Sequence, residues 1–133
     1  MLTVLYPDEQ FKPFRKKFLV SNYGRVYSVV SDKFLKILYN KAGYCRFEEY
    51  FPNKNGKRKR QLWFVHITVV NLFGDCYGKS QIEGLEIDHV NGNKSDNHVS
   101  NLELVTHSEN CKRWHRLKEI EAYKNDQELF GLT

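Results

Sequence analysis

The chain has 133 residues, 41% of them hydrophobic, a size that suits one ordinary domain or a small domain with an appended module and excludes two full-sized domains. No apolar run approaches the ~18 residues of a membrane span, and the first residues do not resemble a secretory signal, so we expect a cytoplasmic protein that does not enter a membrane. The net charge of +5 is uneven: residues 1–80 hold 15 Lys/Arg and 6 Asp/Glu, whereas residues 81–133 hold 6 and 10. Because basic surface neutralises phosphates and releases counterions, the first half is suited to binding the phosphate backbone of a nucleic acid.

The three cysteines, Cys45, Cys76 and Cys111, are odd in number and far apart. This pattern argues against a disulfide framework and is typical of a reducing compartment. Since no C-x-x-C pair occurs, we expect no structural zinc. His107, Cys111 and His115 recur at helical spacing, but three soft ligands without an evident fourth argue against a metal there.

Residues 1–60 are interpreted as a β-rich, basic module. Pro7 and Pro13 interrupt the first 14 residues, which we expect to be an irregular lead-in. From Lys17 to Phe51, β-branched and aromatic residues are punctuated by turn signals such as Asn22-Tyr23-Gly24. This pattern predicts an antiparallel meander.

The next segment carries a tight-turn signal, Asn55-Gly56, which predicts a hairpin. Its flanks are basic, with Lys54, Lys57, Arg58, Lys59 and Arg60. Such a tip suits a phosphate backbone or a groove, and the alternative is a solvated loop whose charge only aids solubility.

The segment Leu62–Phe73 is ambiguous by composition. Its β-branched residues favour a strand, whereas Leu62, Val65, Val69 and Leu72 also fit one face of a helix.

The stretch from Leu85 to Asn110 is the most informative. An alternating run ends in Asp88-His89 and meets the turn signal Asn91-Gly92, which predicts a strand and a turn. A second short strand is predicted at 102–105, and the capping-box pattern T-x-x-E at 106–109 predicts a helix start. Adjacent strand residues point to opposite faces, so the strand must end or twist if Asp88 and His89 are to face one phosphate.

This order of polar positions closely resembles the HNH endonuclease motif, a ββα-metal finger, in its phage homing-endonuclease variant. The signature here is Asp88-His89, Asn101-Leu102 and Asn110, and the variant also carries the loop NGNKSDN at 91–97. The resemblance implies an α+β fold, with a ββα-metal (His-Me) finger core in residues 61–133, its motif at 85–124, behind the antiparallel β-rich module. It also implies metal-dependent cleavage of DNA to 5′-phosphate and 3′-hydroxyl ends.

The chemistry of phosphodiester hydrolysis suits these residue types. An imidazole, which ordinarily ionises near pH ~6.5, can take a proton from water, so His89 is the predicted general base. Mg²⁺ or Mn²⁺ prefers oxygen ligands and needs only one or two from the protein, which Asp88 and Asn110 would supply. By resemblance, Asn101 acts indirectly, by bonding backbone across the loop to hold His89 in position.

The same resemblance extends to other segments. The residues FLVSNYGRVYS at 18–28 resemble the start of a module that often precedes HNH cores, written roughly YEVSNYGRVRS and taken to contact DNA. A V-H-R-L-V-A-x-x-F helix of related cores favours a helix at Val65–Phe73, with His66 as a packed residue.

The predicted DNA contacts are then the basic hairpin together with Arg15, Lys16, Lys17, Arg25, Lys112, Arg113 and Arg116. For the last three, a solvated helix face is the equal alternative. Apolar residues that follow Asn110, such as Trp114 and Leu117, are expected to seal the helix against the strands.

The predicted protein is a DNA-nicking enzyme. One site per chain favours a monomer, and a double-strand break would need a dimer or two successive events. Two alternatives stay open: a DNA-binding module that does not cleave, and the nuclease subunit of a larger DNA-processing machine.

Overall fold

The computed structural model describes residues 1–52, 55–74 and 85–129, with side chains described as far as residue 126. Lys54, one of the predicted DNA contacts, and Cys76 lie outside the described residues.

The first sheet is antiparallel and has four strands in the order β1 (Phe11–Phe14), β2 (Phe18–Ser21), β3 (Val26–Ser28) and β4 (Lys33–Phe34). Arg15, Lys16 and Lys17 connect β1 to β2, and the first two have positive φ values of 58° and 62°. Two successive left-handed residues match the twist of a hairpin, which explains how so short a turn closes. The predicted irregular lead-in is therefore wrong for β1. Pro13 is accommodated because β1 is an edge strand, where a missing N–H costs no ladder bond.

The second sheet contains β5 (Leu38–Tyr39), β6 (Cys45–Phe51) and β7 (Lys59–Phe64). The long pair β6–β7 confirms the predicted hairpin, although its loop is longer than a two-residue turn because the pairing stops at Phe51↔Lys59. The chain enters α1 (Val65–Phe73) directly from β7. Both interpretations of residues 62–73 are therefore correct in part, since the strand ends where the helix begins.

The third sheet is the ribbon of β8 (Leu85–His89) and β9 (Leu102–Thr106), followed at once by α2 (His107–Leu129). A short 3-10 helix, Val99–Asn101, precedes β9. Thr106 Oγ1 accepts the Glu109 N–H at 3.2 Å, which confirms Thr106 as the N-cap of α2. The strand, loop, strand and helix predicted for residues 85–110 are all present.

One core unites the first two sheets and α1. Its buried members are Phe18, Val20, Val26, Cys45, Phe47, Val65 and Val69, and Val99 and Leu102 of the ββα segment pack against them. Each such large apolar side chain contributes roughly 1.5–3 kcal/mol on burial. The boundary predicted between residues 60 and 61 falls inside β7, and the core takes residues from both sides of it.

Helix α2 leaves most of its apolar residues in solvent. Trp114 is 56% exposed and Leu117 is 41% exposed, so the expectation that they seal the helix against the strands is wrong. A 23-residue helix is about 34 Å long, whereas five-residue strands span about 17 Å, so the ribbon can cover only part of it. Among the described residues, neither helix combines the length and apolarity needed to cross a bilayer.

Candidate active site

The site forms where β8 ends against α2. Asp88 and His89 are the last two residues of β8, and Gly92, with φ +75°, turns the chain directly afterwards. The predicted end of the strand is thus confirmed. Both side chains still line one groove together with Asn110, although they leave the strand on different sides.

His89 lies on the buried side and is 5% exposed. Its Nε2 is 2.8 Å from Asn97 Oδ1. A carboxamide oxygen only accepts, so this contact favours the tautomer with its proton on Nε2, which leaves Nδ1 as the acceptor. Asn97 belongs to the loop that the motif resemblance included as a whole, but its side chain was not predicted as functional. Nothing in local patterning distinguishes it from the neighbouring loop residues Asn91 and Asn93.

His66, at the start of α1, packs beside this base. The ring centroids of His66 and His89 are 5.3 Å apart, and Tyr44 stacks on His66 at 5.1 Å. Burial, and then the neighbouring His89, lower the pKa of His66 to about 4. Its Nδ1 is buried without a hydrogen-bond partner among the described residues, which favours a neutral ring. His66 is thus the packed residue that was expected, in direct contact with the predicted base.

Asn101 makes the hydrogen bonds expected of it. Its Oδ1 accepts the backbone N–H of Asn91 at 3.0 Å, and its Nδ2 donates to the carbonyl of Asp96 at 2.9 Å. These bonds tie the start of the 91–97 loop to its end. Asn101 therefore holds the loop that follows His89 and does not face the groove itself.

Asn110 is oriented by a residue that was not predicted from the sequence. Its Nδ2 donates to Glu86 Oε2 at 2.7 Å, and Glu86 Oε1 lies 2.6 Å from His107 Nδ1. The hydrogen bond from Asn110, and next the one from His107, lower the pKa of Glu86. With its NH₂ group turned to Glu86, Asn110 presents its Oδ1 elsewhere. The available signal was the two-residue spacing of Glu86 and Asp88, which places both on one face of the strand.

Asp88 lies on the charged side of β8. Arg113 Nη1 contacts Asp88 Oδ2 at 3.1 Å and Glu103 Oε2 at 2.9 Å, and Arg113 Nε contacts Glu109 at 3.3 Å. These carboxylates, Glu103 first and then Asp88, raise the pKa of Arg113, which is charged in any case. Arg113 was predicted to contact DNA, and here it neutralises the predicted metal ligand.

The donor chemistry fits a hard divalent cation. A carboxylate on β8 and a carboxamide on α2 line the same groove, and both offer oxygen. No cluster of three or more His, Cys, Asp or Glu residues suited to a metal occurs in the part of the chain that the structure describes. A site of this kind would rely on two protein ligands and on the phosphate of a bound substrate, as Mg²⁺ sites commonly do.

The other predicted DNA contacts differ in their surroundings. Three of them pair with buried carboxylates: Arg15 and Lys17 lie 3.1 and 3.4 Å from Glu49, and Arg25 lies 2.6 Å from Glu9. The remaining described ones are exposed, namely Lys16, Lys57, Arg58, Lys59, Arg60, Lys112 and Arg116.

The first strand of the ribbon ends in Asp-His, and the second leads into a helix with Asn in its first turn, which is the arrangement expected of a ββα finger. Residues 64–112 match the HNH endonuclease family, and the chain therefore carries an HNH endonuclease domain. The predicted family and α+β fold are confirmed.

Related proteins come from viruses. The chain is 38% identical over 104 residues to DNA endonuclease I-HmuI of Bacillus phage SP01 and 33% identical over 112 residues to the H-N-H endonuclease F-TflII of Escherichia phage T5. These alignments cover 78% and 83% of this chain, but 55% and 52% of those proteins. A solved structure described as DNA binding and cleavage by the HNH homing endonuclease I-HmuI matches over 93% of this chain and 60% of that one, with 32% identity and a TM-score of 0.57. The chain thus spans little more than half the length of these relatives.

Proposed function

We propose that this protein is a metal-dependent DNA endonuclease, phage-encoded and of the homing type, that hydrolyses phosphodiester bonds to 5′-phosphate and 3′-hydroxyl ends. The observation that carries the proposal is the convergence of Asp88, His89 and Asn110 on one groove at the end of the ββα ribbon. The phage relatives named as endonucleases support the same activity.

His89 would act as the general base. With Nε2 held by Asn97, its Nδ1 is the atom that would take a proton from the attacking water. Asp88 and Asn110 would hold Mg²⁺ or Mn²⁺, which when bound polarises the scissile phosphate and stabilises charge on the leaving oxygen. Asn101 would keep the loop after His89 in place. For Asp88 to bind the metal ion, Arg113 would give up its ion pair with Asp88 and keep those with Glu103 and Glu109, which it already contacts.

Double-stranded DNA is the proposed partner. The exposed basic hairpin, with Lys57, Arg58, Lys59 and Arg60, is the strongest candidate for phosphate contact, and Lys54 is close to them in sequence. Lys112 and Arg116 are exposed residues of α2 that do not line the groove, and Lys16 lies at a turn of the first sheet. Arg15, Lys17 and Arg25 would contact DNA only in competition with Glu49 and Glu9, so they rank below the hairpin.

One set of site residues per chain favours nicking by a monomer, and two copies or two successive events would cut both strands. The expected compartment is the cytoplasm of the host cell, where phage DNA is processed.

Binding without cleavage is the second candidate function. The observation that favours it is the ion pair of Arg113 with Asp88, which neutralises a predicted metal ligand. Arg113, which contacts three carboxylates, would have to break its ion pair with Asp88 before Asp88 could bind a metal ion.

Cleavage of supercoiled plasmid separates the two candidates. Wild type, His89→Ala and the control Tyr39→Ala, an exposed residue of β5 outside the groove, are incubated with Mg²⁺, with Mn²⁺ and with EDTA. We expect open-circle product from wild type and Tyr39→Ala with metal only, and a rate at least about 100-fold lower for His89→Ala. If wild type binds the plasmid and never cuts it with either metal, the nuclease proposal fails and binding alone takes its place.

A further inference from the structure

The turn Asn22–Gly24 and the loop that follows His89 are in direct contact. The N–H of Val99 donates to the carbonyl of Asn22 at 2.9 Å. The ring of Tyr23 meets the ring of His98 edge-on, with centroids 4.2 Å apart. Three successive loop residues, 97–99, therefore face three successive turn residues.

Gly24 is the tightest point of this contact. A Cβ placed on it would lie 2.9 Å from Asn97 Cβ, closer than real Cβ contacts, and 3.0 Å from Val65 Cγ1, which is tighter than most of them. Its φ of +85° is in the left-handed region, which also favours glycine. The absence of a side chain at position 24 is what lets Asn97 approach the first sheet and the start of α1.

The polar groups of the turn are directed to protein. Asn22 Oδ1 accepts the N–H of Gln10 at 2.8 Å, and Asn22 Nδ2 donates to the carbonyl of Asp8 at 3.1 Å. The Tyr23 hydroxyl donates to Asp8 at 2.5 Å. A segment whose amide and hydroxyl groups are already paired in this way is suited to holding structure together. The module to which the turn belongs resembles one taken to contact DNA, but the residues predicted to do so are its basic ones.

We propose that Asn97 is a positioning residue that fixes the tautomer of His89, and that the Asn22–Gly24 turn fixes Asn97. The proposal deepens the proposed function and rests on His89 as its base. Asn97 is 4% exposed and His89 is 5% exposed, so water does not replace their hydrogen bond easily. A neutral imidazole without that acceptor would divide between two tautomers, and only the one protonated on Nε2 leaves Nδ1 to accept a proton.

The test measures the tautomer directly, in the protein without metal or DNA. Two-bond ¹H–¹⁵N correlation spectra at pH 8 are recorded for wild type, Asn97→Ala and Asn97→Asp. We expect His89 protonated on Nε2 in wild type, a mixture in Asn97→Ala, and the Nε2 form restored in Asn97→Asp, which keeps an oxygen acceptor at the same place. An unchanged tautomer in Asn97→Ala, or an Nδ1-protonated ring in wild type, overturns the proposal.

The turn is tested with a matched pair of glycines. Gly24→Ala is expected to shift the His89 tautomer as Asn97→Ala does. Gly56→Ala introduces the same strain at φ +73° but meets nothing within 4 Å, so it should leave the His89 signals unchanged. Equal His89 spectra in the two variants would refute the role of the turn.

A milder variant covers the case in which Gly24→Ala does not fold. Tyr23→Ala removes the ring contact with His98 without adding an atom to the tight approach at Gly24. It should shift the His89 tautomer in the same direction as Asn97→Ala. A spectrum identical to that of wild type would contradict the role of the turn, while the Asn97 variants decide the role of Asn97 on their own.

A kinetic measurement separates this proposal from the activity itself. If the protein cleaves DNA, Asn97→Ala should lower the single-turnover rate about tenfold or more, leave the Kd for DNA within twofold, and be rescued by Asn97→Asp. A parallel loss of DNA affinity would indicate that the substitution disrupts the DNA-binding surface and would contradict the proposal. Should wild type not cleave at all, the proposed function fails, while the tautomer spectra still decide the role of Asn97.

Discussion

The two sides of strand β8 carry the two halves of the site in opposite surroundings. On one side, His89 is buried beside the rings of Tyr44 and His66 and bonds to a neutral amide. On the other, Asp88 meets Arg113 within a group of charged residues that are at least partly exposed. A one-residue step along a strand is enough to separate them, because successive side chains alternate between faces.

The difference matches the roles proposed for the two residues, a general base for His89 and a metal ligand for Asp88. A base is useful when its basic nitrogen is fixed and its neighbours are neutral, which the aromatic side provides. A metal ligand that is ion-paired with Arg113 must replace the guanidinium with the metal ion. The free energy cost of separating the ion pair is smaller near solvent, because water screens the separated charges. The strand therefore places a buried, hydrogen-bonded group next to a partly exposed, ion-paired one.

The largest expected effect is on the charged side. Asp88→Asn keeps the shape of the side chain and removes its charge, so cleavage at saturating Mg²⁺ should fall at least about 100-fold, because metal-assisted stabilisation is worth several kcal/mol. DNA affinity measured in EDTA should not weaken, since a negative charge near the phosphates is lost. Glu119→Gln, an exposed carboxylate of α2 that does not line the groove, is the control and should stay within a few-fold of wild type. Equal losses in the two variants would mean that general charge, and not ligation, matters there.

The neutral side can be tested through stability. Burial lowers the pKa of His66 from its ordinary 6.5 to about 4, so between these values the unfolded chain binds the proton that the folded chain refuses. The contribution of this group to stability is complete above pH 6.5 and is lost as the pH falls toward 4. Its total is about 3 kcal/mol, from 1.36 kcal/mol per pKa unit.

Urea unfolding at pH 7.5 and pH 4.5 measures this contribution. His66→Phe should lose less free energy of unfolding between the two pH values than wild type, by about 2–3 kcal/mol. His115→Phe, at an exposed position, should lose as much as wild type. Parallel losses in wild type and His66→Phe would show that the ring is not held neutral by its burial.

Local rules were sufficient for the ribbon and the start of α2. Thr106 is an N-cap because its hydroxyl reaches an N–H three residues on, a relation that is visible in sequence. The bonds of Asn101 join residues at most ten positions apart, and the resemblance to a known motif identified them. Asp88, His89 and Asn110 were found in the same way, and all three line the groove.

Contacts between distant segments were not predictable by these rules. Gly24 meets Asn97 across more than seventy residues, and the need for glycine there arises only when two backbones approach. Arg25 reads as a free cation in sequence, yet it pairs with a buried glutamate sixteen residues away. The apolar residues of α2 have helical spacing whether or not a partner covers them, so periodicity could not reveal that Trp114 is exposed.

The smallest effect concerns the orientation of Asn110. Without the carboxylate of Glu86, the carboxamide of Asn110 can rotate and turn its NH₂ group, in place of its oxygen, toward a metal ion. A cation does not bind an NH₂ group of this kind. Glu86→Ala should therefore raise the Mg²⁺ concentration needed for half-maximal cleavage about tenfold, as removal of an outer partner of a metal ligand commonly does, with the rate at saturating Mg²⁺ nearly unchanged. Glu86→Gln loses the same charge but keeps an oxygen that accepts from Asn110, so its Mg²⁺ requirement should stay near that of wild type. If both variants need the same increase in Mg²⁺, the negative charge of Glu86 attracts the cation and the orientation of Asn110 is unimportant. If only Glu86→Ala needs more Mg²⁺, the hydrogen bond at 2.7 Å is what turns Asn110 Oδ1 to the metal.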